Sequence, residues 1–349
     1  MNRLVLPVAA GLVWLALYFL ISIDPAAAQS RRIVDSAGRT VDVPGRINRV
    51  LAAGPPASVL VYALAPEKMA GWVREPSAAD KEFIAEAYRN LPVHGRLTGK
   101  GSTASIETVL SMKPDVIIDV GSVDATYASL ADRVQEQTGV AYVLLDGSFG
   151  NTARTLRTAA DILGVGARGD ELAGYAEAAL DRLRTELAGV PDDERPRVYY
   201  GRGPDGLETG LAGSINTEVL DAAGAKNVAA AAGRGGLANV SIEQVLSWNP
   251  DVVLTLDQTF QRAVAMDPLW ANVNAVKAGR VYRAPTAPFG WFDAPPGINR
   301  IVGVAWLTAV LYPGRGDVDL EAETRAFYRL FYHVDLTDAQ IDRLLAGAR

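Results

Sequence analysis

Arginine and aromatic side chains recur in loops that follow apolar, strand-like runs of this chain. Arg74 follows Trp72, the segment HGRLTGKGS carries Arg96 and Lys100, and the segment YGRGPDG carries Arg202. Flat aromatic faces combined with guanidinium charge suit a bulky, partly anionic ligand, and backbone N–H groups near a helix start suit an anion. The candidate ligand-binding residues are Pro55, Pro56, Trp72, Arg74, Arg96, Lys100, Gly121, Ser122, Arg202, Gly203, Asp205, Gln258, Phe289 and Trp291.

Each of these residues also has an ordinary structural interpretation. Trp72 and Trp291 are large apolar side chains that can pack in a core, and the arginines can be solvated on the surface. The residue types alone do not separate a binding role from a packing role, so both interpretations stay open for every candidate.

The chain has no cysteine and only two histidines, His94 and His333. This composition excludes disulfides, cysteine nucleophiles and thiolate metal sites, and it argues against capture of a bare Zn²⁺ or Mn²⁺ ion by clustered imidazoles. His94 is a candidate ligand contact, although a lone loop histidine is more often polar surface, and we expect His333 to be structural. We therefore predict no resident metal site and no cofactor, and a bound metal should arrive already chelated.

Residues 104–121, ASIETVLSMKPDVIIDVG, repeat the pattern of residues 240–257, VSIEQVLSWNPDVVLTLD. Each copy predicts a serine-capped helix, a proline stop and a buried strand. The helix cap, the proline stop and the strand do not explain the glutamate that both copies carry, Glu107 and Glu243. A carboxylate in the first helical turn is stabilised by the helix dipole, whereas two exposed acids on matching units suit a partner with two matching basic pockets.

The segment GRGPDG at 201–206 matches the dinucleotide-binding pattern G-x-G-x-x-G. That motif requires a helix to begin within it, and Pro204 followed by LETGLAGS disfavours such a helix. The chain also has no G-x-S-x-G nucleophile elbow. We therefore predict that the protein is not an enzyme.

Apolar runs alternate with helical patterns along two stretches of the chain, which predicts parallel sheets covered by helices. One of these runs, 68–73, is a predicted strand. Between the two stretches, residues 168–188 have the longest helical periodicity. The sequence thus predicts an α/β fold with two lobes, each with a central parallel sheet, joined by one long helix. The predicted divisions are a signal peptide at 1–28, an N-terminal α/β lobe at 29–167, a linking helix at 168–190 and a C-terminal α/β lobe with terminal helices at 191–349.

The first 28 residues have the pattern of an export signal. Positive charge at MNR precedes a long apolar run, and Ala26, Ala27 and Ala28 before Gln29 form a cleavage pattern. An uncleaved membrane anchor is the alternative, because the run is close to spanning length. Since no cysteine follows, we do not expect a lipoprotein anchor.

A net charge of −6 argues against a broad nucleic-acid-binding surface.

The mature chain resembles the periplasmic substrate-binding proteins of ABC importers that take up iron–siderophore complexes, haem and cobalamin, the class with a helical backbone between the lobes (class III). The resemblance is carried by IVDSAGRTVDVPGRINRVLAAGPPASVLVYAL, the paired SIETVLSMKPDVII and SIEQVLSWNPDVVL, LAGSINTEVLDAAGAKNVA, PLWANVNAVKAGRVYRAP and GWFDAPPGINRIVGVAWL. It implies a ligand cleft between the lobes and modest lobe closure. It also implies one glutamate per lobe that docks against arginines of the two membrane subunits, and Glu107 and Glu243 occupy those positions.

The resemblance thus predicts a periplasmic, monomeric binding protein that delivers a small-molecule metal chelate to a dimeric ABC permease. We expect a ferric siderophore-like complex, with cobalamin, haem or an oxyanion such as molybdate as alternatives; Arg96, Lys100 and Arg202 are candidates to surround an oxyanion. An NAD-binding enzyme, or a metal chelatase using His94, is a more remote alternative. A small oxyanion needs a nearly closed cleft and a siderophore needs an open one, and the sequence does not set the cleft width.

Overall fold

The computed structural model describes residues 30–99, 101–315 and 318–346, so the predicted signal peptide and Lys100 lie outside the described residues. The strands are β1 Ser30–Val34, β2 Thr40–Pro44, β3 Val50–Ala52, β4 Val116–Gly121, β5 Ala141–Asp146, β6 Arg197–Tyr200, β7 Glu208–Gly210, β8 Lys226–Asn227, β9 Leu237–Asn239, β10 Val252–Thr255 and β11 Val281–Arg283. The α-helices are α1 Pro55–Leu64, α2 Ala78–Lys81, α3 Ile106–Met112, α4 Ala125–Thr138, α5 Thr152–Leu163, α6 Gly166–Leu187, α7 Glu218–Ala222, α8 Ile242–Trp248, α9 Gln258–Ala263, α10 Asn274–Lys277, α11 Arg300–Leu311, α12 Leu320–Tyr332 and α13 Asp338–Leu345. Among these helices, none is long and apolar enough to span a membrane.

The N-terminal lobe is built on a parallel sheet in the order β3–β4–β5. Successive side chains of β4 point to opposite faces: Ile118 belongs to the core shared with α1 and α5, and Ile117 to the core beneath α3 and α4. Both faces of the sheet are therefore covered, as the continuous apolar runs predict. The predicted strand at 68–73 forms only single bridges, from Met69 to Val50 and from Trp72 to Val93.

The C-terminal lobe repeats this plan with a parallel sheet in the order β11–β10–β6–β8. Leu254 faces the large core that includes α11, and Val253 faces a second core with Val245 of α8 and Phe260 of α9. A small antiparallel pair, β7 and β9, lies outside the parallel sheet.

Helix α6 is the predicted linking helix and spans 22 residues. Its buried stripe includes Leu172, Ala176 and Leu183 at helical spacing, and it packs against α5 of the N-terminal lobe and α11 of the C-terminal lobe. Gly169 lies where a β-carbon would overlap that of Ala160 in α5, so the two helices approach closely. The predicted fold class, two α/β lobes bridged by one long helix, is confirmed.

The terminal helices reach back to the N-terminal lobe. The hydroxyl of Tyr62 in α1 donates to the Tyr332 carbonyl at 2.5 Å, and the Gln340 amide donates to the Glu82 carbonyl at 3.0 Å. Helix α12 also packs against α11. The terminal helices thus contact both lobes, and the predicted domain boundaries stay a prediction.

The repeated segments form the same local structure in each lobe. Ser105 caps α3 by accepting the Thr108 N–H at 3.3 Å, and Ser241 caps α8 by accepting the Gln244 N–H at 3.3 Å. Both helices end on a residue with left-handed backbone just before the proline. The two helices therefore begin and end by the same local interactions.

The aspartate that both copies carry has a structural partner at the start of the neighbouring strand. Asp115 accepts the backbone N–H groups of Asn48 and Arg49 at 2.7 and 2.9 Å, and Asp251 accepts that of Arg197 at 3.2 Å. Arg49 also donates to the Met112 carbonyl at the end of α3, and Arg197 donates to the Trp248 carbonyl at the end of α8. The aspartate thus aligns two parallel strands in each lobe, which explains its place in the repeat.

Candidate functional site

A cavity of about 30 Å³ lies between the start of α1, the segment 72–84 and the 288–295 loop of the C-terminal lobe. Its lining consists of Pro55, Ser58, Trp72, Val73, Arg74, Pro76, Asp80, Ile84, Pro288, Phe289 and Pro295. The Ser58 side chain is 2% exposed, and its hydroxyl has no hydrogen-bond partner among the described residues. A buried hydroxyl without a partner carries a desolvation cost that a polar ligand would remove.

Side chains rather than helix amides supply the polar groups of this cavity. Helix α1 begins with Pro55 and Pro56, which carry no N–H, and its N-cap is Gly54, which has no capping side chain. Arg74 is exposed at the cavity and forms no ion pair within the described part of the chain. Asp80 also lines the cavity, but its carboxylate accepts the Ser77 hydroxyl at 2.8 Å in a helix cap. Ser58 and Arg74 are therefore the two groups that could hold an anion here.

The lobes approach closely beside this cavity. A β-carbon built on Gly297 would lie 3.5 Å from the Cα atom of Pro56, an ordinary van der Waals distance, so the Gly297 backbone lies directly beside the start of α1. Trp72 and Phe289, from opposite lobes, have ring centroids 6.0 Å apart. The cleft is thus narrow at this point.

The predicted aromatic contacts divide into two kinds. Trp72 is 2% exposed and donates its indole N–H to the Tyr88 carbonyl at 2.8 Å, yet its edge lines the cavity together with Phe289. Trp291 is fully buried and donates its indole N–H to the Tyr328 hydroxyl at 3.1 Å. The Trp291 ring is wholly enclosed by protein in this arrangement of the lobes, and its predicted ligand contact stays a prediction.

Arg202 lies on the C-terminal lobe next to a buried carboxylate. Its Nε atom is 3.5 Å from Asp293 Oδ2. Asp293 is fully buried and accepts the Tyr200 hydroxyl at 3.0 Å and the Asn216 amide at 2.9 Å. Burial and the Asp293 charge raise the pKa of Tyr200, which keeps its hydroxyl protonated as a donor. Asp293 thus orients Arg202, a role that the sequence analysis missed.

The remaining candidates do not line the cavity. Arg96 donates its Nε–H to the Gly101 carbonyl at 2.8 Å and so folds over its own loop, and Asp205 accepts the Leu207 N–H at 3.0 Å within its own turn. Ser122 and Gln258 are exposed. The candidates that the structure brings together are Pro55, Trp72, Arg74 and Phe289, and those outside the lining are Pro56, Arg96, Gly121, Ser122, Arg202, Gly203, Asp205, Gln258 and Trp291.

A second buried carboxylate, Asp119, supports the loops of the N-terminal lobe. It accepts the Thr98 hydroxyl and the Tyr142 hydroxyl, both at 3.0 Å, and burial raises its pKa. A β-carbon on Gly54 would lie 2.6 Å from the Thr98 hydroxyl, so the glycine-rich loop rests directly on the start of α1. The sequence signal was a single acid inside the apolar run VIIDVG, which the sequence analysis did not use.

His94 is neither polar surface nor part of the cavity lining. It is 4% exposed, and its ring lies beside Gly71. His333 is exposed as a residue, but its ring packs against that of Tyr62 and its Nε2 atom lies 3.1 Å from the Tyr62 carbonyl. Within the described ranges, no group of three or more His, Asp or Glu side chains is placed to hold a metal ion.

The two histidines predict a loss of stability in mild acid. Desolvation lowers the pKa of both histidines below the ordinary value of about 6.5, through burial of His94 and through the protein packed against the ring of His333. The unfolded chain therefore takes up protons at a higher pH than the folded chain, so the free energy of unfolding falls as the pH drops from about 6.5 through the lowered pKa values. Because the chain has only two histidines, NMR titration of their ring protons resolves each one. A ring that titrates at or above about 6.5 would contradict this expectation.

Glu107 and Glu243 lie exposed in the first turns of α3 and α8. Hydrogen bonding from Ser105 and Ser241 lowers the pKa of these two carboxyls, so both are ionised at neutral pH. Neither carboxylate forms an ion pair with any described residue. Each is thus available to an external cation on its own lobe.

Comparison with known proteins places this fold in a known family. The family model for periplasmic binding proteins matches residues 70–288, more than half of the chain. The chain is 29% identical to the molybdate-binding protein MolA of Haemophilus influenzae over 90% of this chain and 94% of MolA.

Two solved structures show the same likeness. An ABC transporter solute-binding protein from Sulfurospirillum deleyianum superposes with a TM-score of 0.81 at 28% identity, covering 90% of this chain and 99% of that one. MolA of Haemophilus influenzae bound to molybdate superposes with a TM-score of 0.71 at 26% identity, covering 88% of this chain and 99% of that one. These relatives are transport proteins that bind a solute, in agreement with the prediction that the chain is not an enzyme. The chain belongs to the periplasmic binding protein family and is a solute-binding protein that works with the membrane permease of an ABC importer.

Proposed function

We propose that this protein captures a small oxyanion of the molybdate type between its two lobes and delivers it to the ABC permease. The observation that carries the proposal is the narrow inter-lobe cavity, in which Ser58 offers a buried, unpartnered hydroxyl and Arg74 offers an unpaired guanidinium. A hydroxyl donor and a positive charge are the groups that hold an oxyanion.

Cavity size supports an oxyanion over the siderophore that the sequence analysis favoured. A cavity of about 30 Å³ has room for about two water molecules. A ferric siderophore, haem or cobalamin is far larger, so the contact between Pro56 and the Gly297 turn would have to separate to admit it. The similarity to MolA along nearly the whole chain adds independent support.

The proposal predicts saturable binding of molybdate that depends on the two polar groups. Arg74→Gln should weaken molybdate binding by about 10- to 100-fold, because a hydrogen bond to a charged group contributes about 1.5–3 kcal/mol. Ser58→Ala should weaken it by about fivefold, the loss of one ordinary hydrogen bond. Isothermal titration calorimetry with molybdate measures both variants.

Arg46→Gln is the matched control, since Arg46 is an exposed arginine of the same lobe that lies away from the cavity lining. It should bind molybdate as the unmodified protein does. Ferrichrome, haemin and cyanocobalamin are titrated in parallel. Saturable binding of one of these three, with no heat from molybdate, would show that the ligand is a large chelate and that the cleft opens to admit it.

A further inference from the structure

One buried arginine of the C-terminal lobe reaches across to the N-terminal lobe. Arg300, at the start of α11, is 1% exposed. Its Nη2 atom donates to the Gly147 carbonyl of the N-terminal lobe at 2.9 Å, while Nη1 and Nε donate to the Ile215 and Gly297 carbonyls of its own lobe at 2.7 and 3.2 Å. A single planar guanidinium therefore fixes one loop of the N-terminal lobe against two loops of the C-terminal lobe.

Glu218 completes this connection from the same side. Its Oε2 atom accepts the Phe149 N–H of the N-terminal lobe at 2.7 Å and lies 3.5 Å from Arg300 Nη1. The Arg300 guanidinium also lies over the Phe149 ring, 5.2 Å from its centroid. Arg300 and Glu218 of one lobe thus hold Gly147 and Phe149, two residues apart in the loop that follows β5 of the other lobe.

This connection continues to the loops predicted to face the ligand. On the N-terminal side, Gly147 donates its N–H to the Gly121 carbonyl at 2.9 Å, and a β-carbon on Gly147 would lie 2.7 Å from Gly121 Cα. The loop held by Arg300 therefore packs directly against the end of β4, and Ser122 is the residue that follows this strand.

On the C-terminal side, the contacts run from Ile215 to Arg202. Asn216 follows Ile215 and donates to Asp293 Oδ1 at 2.9 Å, and Asp293 lies 3.5 Å from Arg202. The 290–297 turn, whose Gly297 carbonyl accepts from Arg300, is the turn that faces Pro56 across the cleft. A shift at Arg300 would thus move both walls of the cleft.

We infer that Arg300 and Glu218 form an inter-lobe clasp that sets the opening of the cleft before any ligand binds. The clasp consists of Arg300 and Glu218 on one lobe and Gly147 and Phe149 on the other. Both residues are positioning residues, because they act on the ligand through the loops that they hold. The inference goes beyond the proposed function and holds for any ligand of the cleft.

The physical reason is that the clasp is buried. A charged group taken from water is costly unless it is paired and hydrogen-bonded, so Arg300 disfavours any opening that removes its partners without admitting water. Rotation of the lobes would break its bond to Gly147 and the Glu218 bond to Phe149 together. The lobes should therefore keep one arrangement with and without ligand.

The test measures the distance between the lobes directly. The chain has no cysteine, so Gln137→Cys on α4 and Lys277→Cys on α10, both at exposed positions, place spin labels at only these two sites. Pulsed electron double resonance of the full chain without ligand should give one narrow distance distribution. The same labels in Glu218→Ala and in Arg300→Met should give a broader distribution that extends to longer distances.

Molybdate affinity supplies the second readout. If the binding-competent arrangement falls to about one tenth of the population, the apparent affinity falls about tenfold. Glu323→Ala is the control, because Glu323 is another partly buried glutamate with an arginine partner, Arg182, but lies between the linking helix and α12. It should leave the distance distribution and the affinity unchanged.

The distances decide the inference whatever the ligand proves to be. Unchanged distributions in the folded Glu218→Ala and Arg300→Met proteins would overturn the clasp, and if Arg300→Met does not fold, Glu218→Ala decides alone, since its side chain is 27% exposed. Failure of the unmodified protein to bind molybdate would count against the proposed function only.

Discussion

Reversing the charge of both Glu107 and Glu243 to lysine is expected to abolish solute uptake while ligand affinity stays unchanged. Both carboxylates are exposed, ionised and free of ion pairs among the described residues, and they occupy the same place in the two repeated units. A dimeric permease presents two equivalent surfaces, so matched acids on the two lobes can engage two matched basic pockets at once. Like charges placed against those pockets would repel instead.

The measurement compares complex formation with ligand binding. Surface plasmon resonance with the cognate permease in nanodiscs should show no association for Glu107→Lys combined with Glu243→Lys, and calorimetry should show the ligand affinity of the unmodified protein. Glu136→Lys combined with Asp342→Lys is the control, because it makes the same change in net charge at two other exposed helical acids. Equal association of both double variants would remove the docking role of Glu107 and Glu243.

Single variants refine the same prediction. When one acid is reversed, the other lobe still docks, and the second contact loses the advantage of being held at high effective concentration. Glu107→Lys and Glu243→Lys should therefore each weaken association by more than the loss of one independent contact, and each should weaken it less than the double variant does. A variant without any effect would show that only one lobe carries the docking charge.

The sequence predicted the parts of the fold that depend on local chemistry. Helix α8 begins after its serine cap and ends before its proline as predicted, because a serine cap, an apolar stripe and a proline stop are all encoded within a few residues. The linking helix was found by its long periodic stripe. The predicted strand at 68–73 forms only isolated bridges, because strand pairing depends on partners elsewhere in the chain.

The site was harder to predict, because its key residues are defined by contacts between distant segments. In the sequence, Ser58 is one small residue of a predicted apolar helix. It lines a cavity only because the 288–295 loop, more than 200 residues away in the chain, packs opposite it. Arg300 reads as an ordinary charged residue at a helix start, yet its partner Gly147 lies 153 residues away. Residue type and spacing carry no signal for contacts of this kind.

Trp291 is expected to stabilise the fold rather than bind ligand, and Trp291→Ala should lower the free energy of unfolding by about 3–5 kcal/mol. Its ring is fully buried, and its N–H donates to Tyr328, whose own hydroxyl donates to the Ala287 carbonyl. Truncation to alanine would leave a cavity in the core and remove a donor from this chain of hydrogen bonds. Because Trp291 itself belongs to the cleft loop 288–295, the truncation also removes packing that holds this loop in place.

Urea unfolding measures the loss of stability, and calorimetry with molybdate on the folded variant measures binding. Trp291→Phe should lose less stability than Trp291→Ala, because it keeps most of the buried ring, and it keeps the test informative if the alanine variant does not fold. Gln258→Ala is the control at an exposed candidate position, where the change in stability should be within about 0.5 kcal/mol. The reverse pattern for Trp291→Phe, an unchanged free energy of unfolding with a large loss of molybdate affinity, would mean that the indole reaches the ligand in a state of the cleft more open than this one.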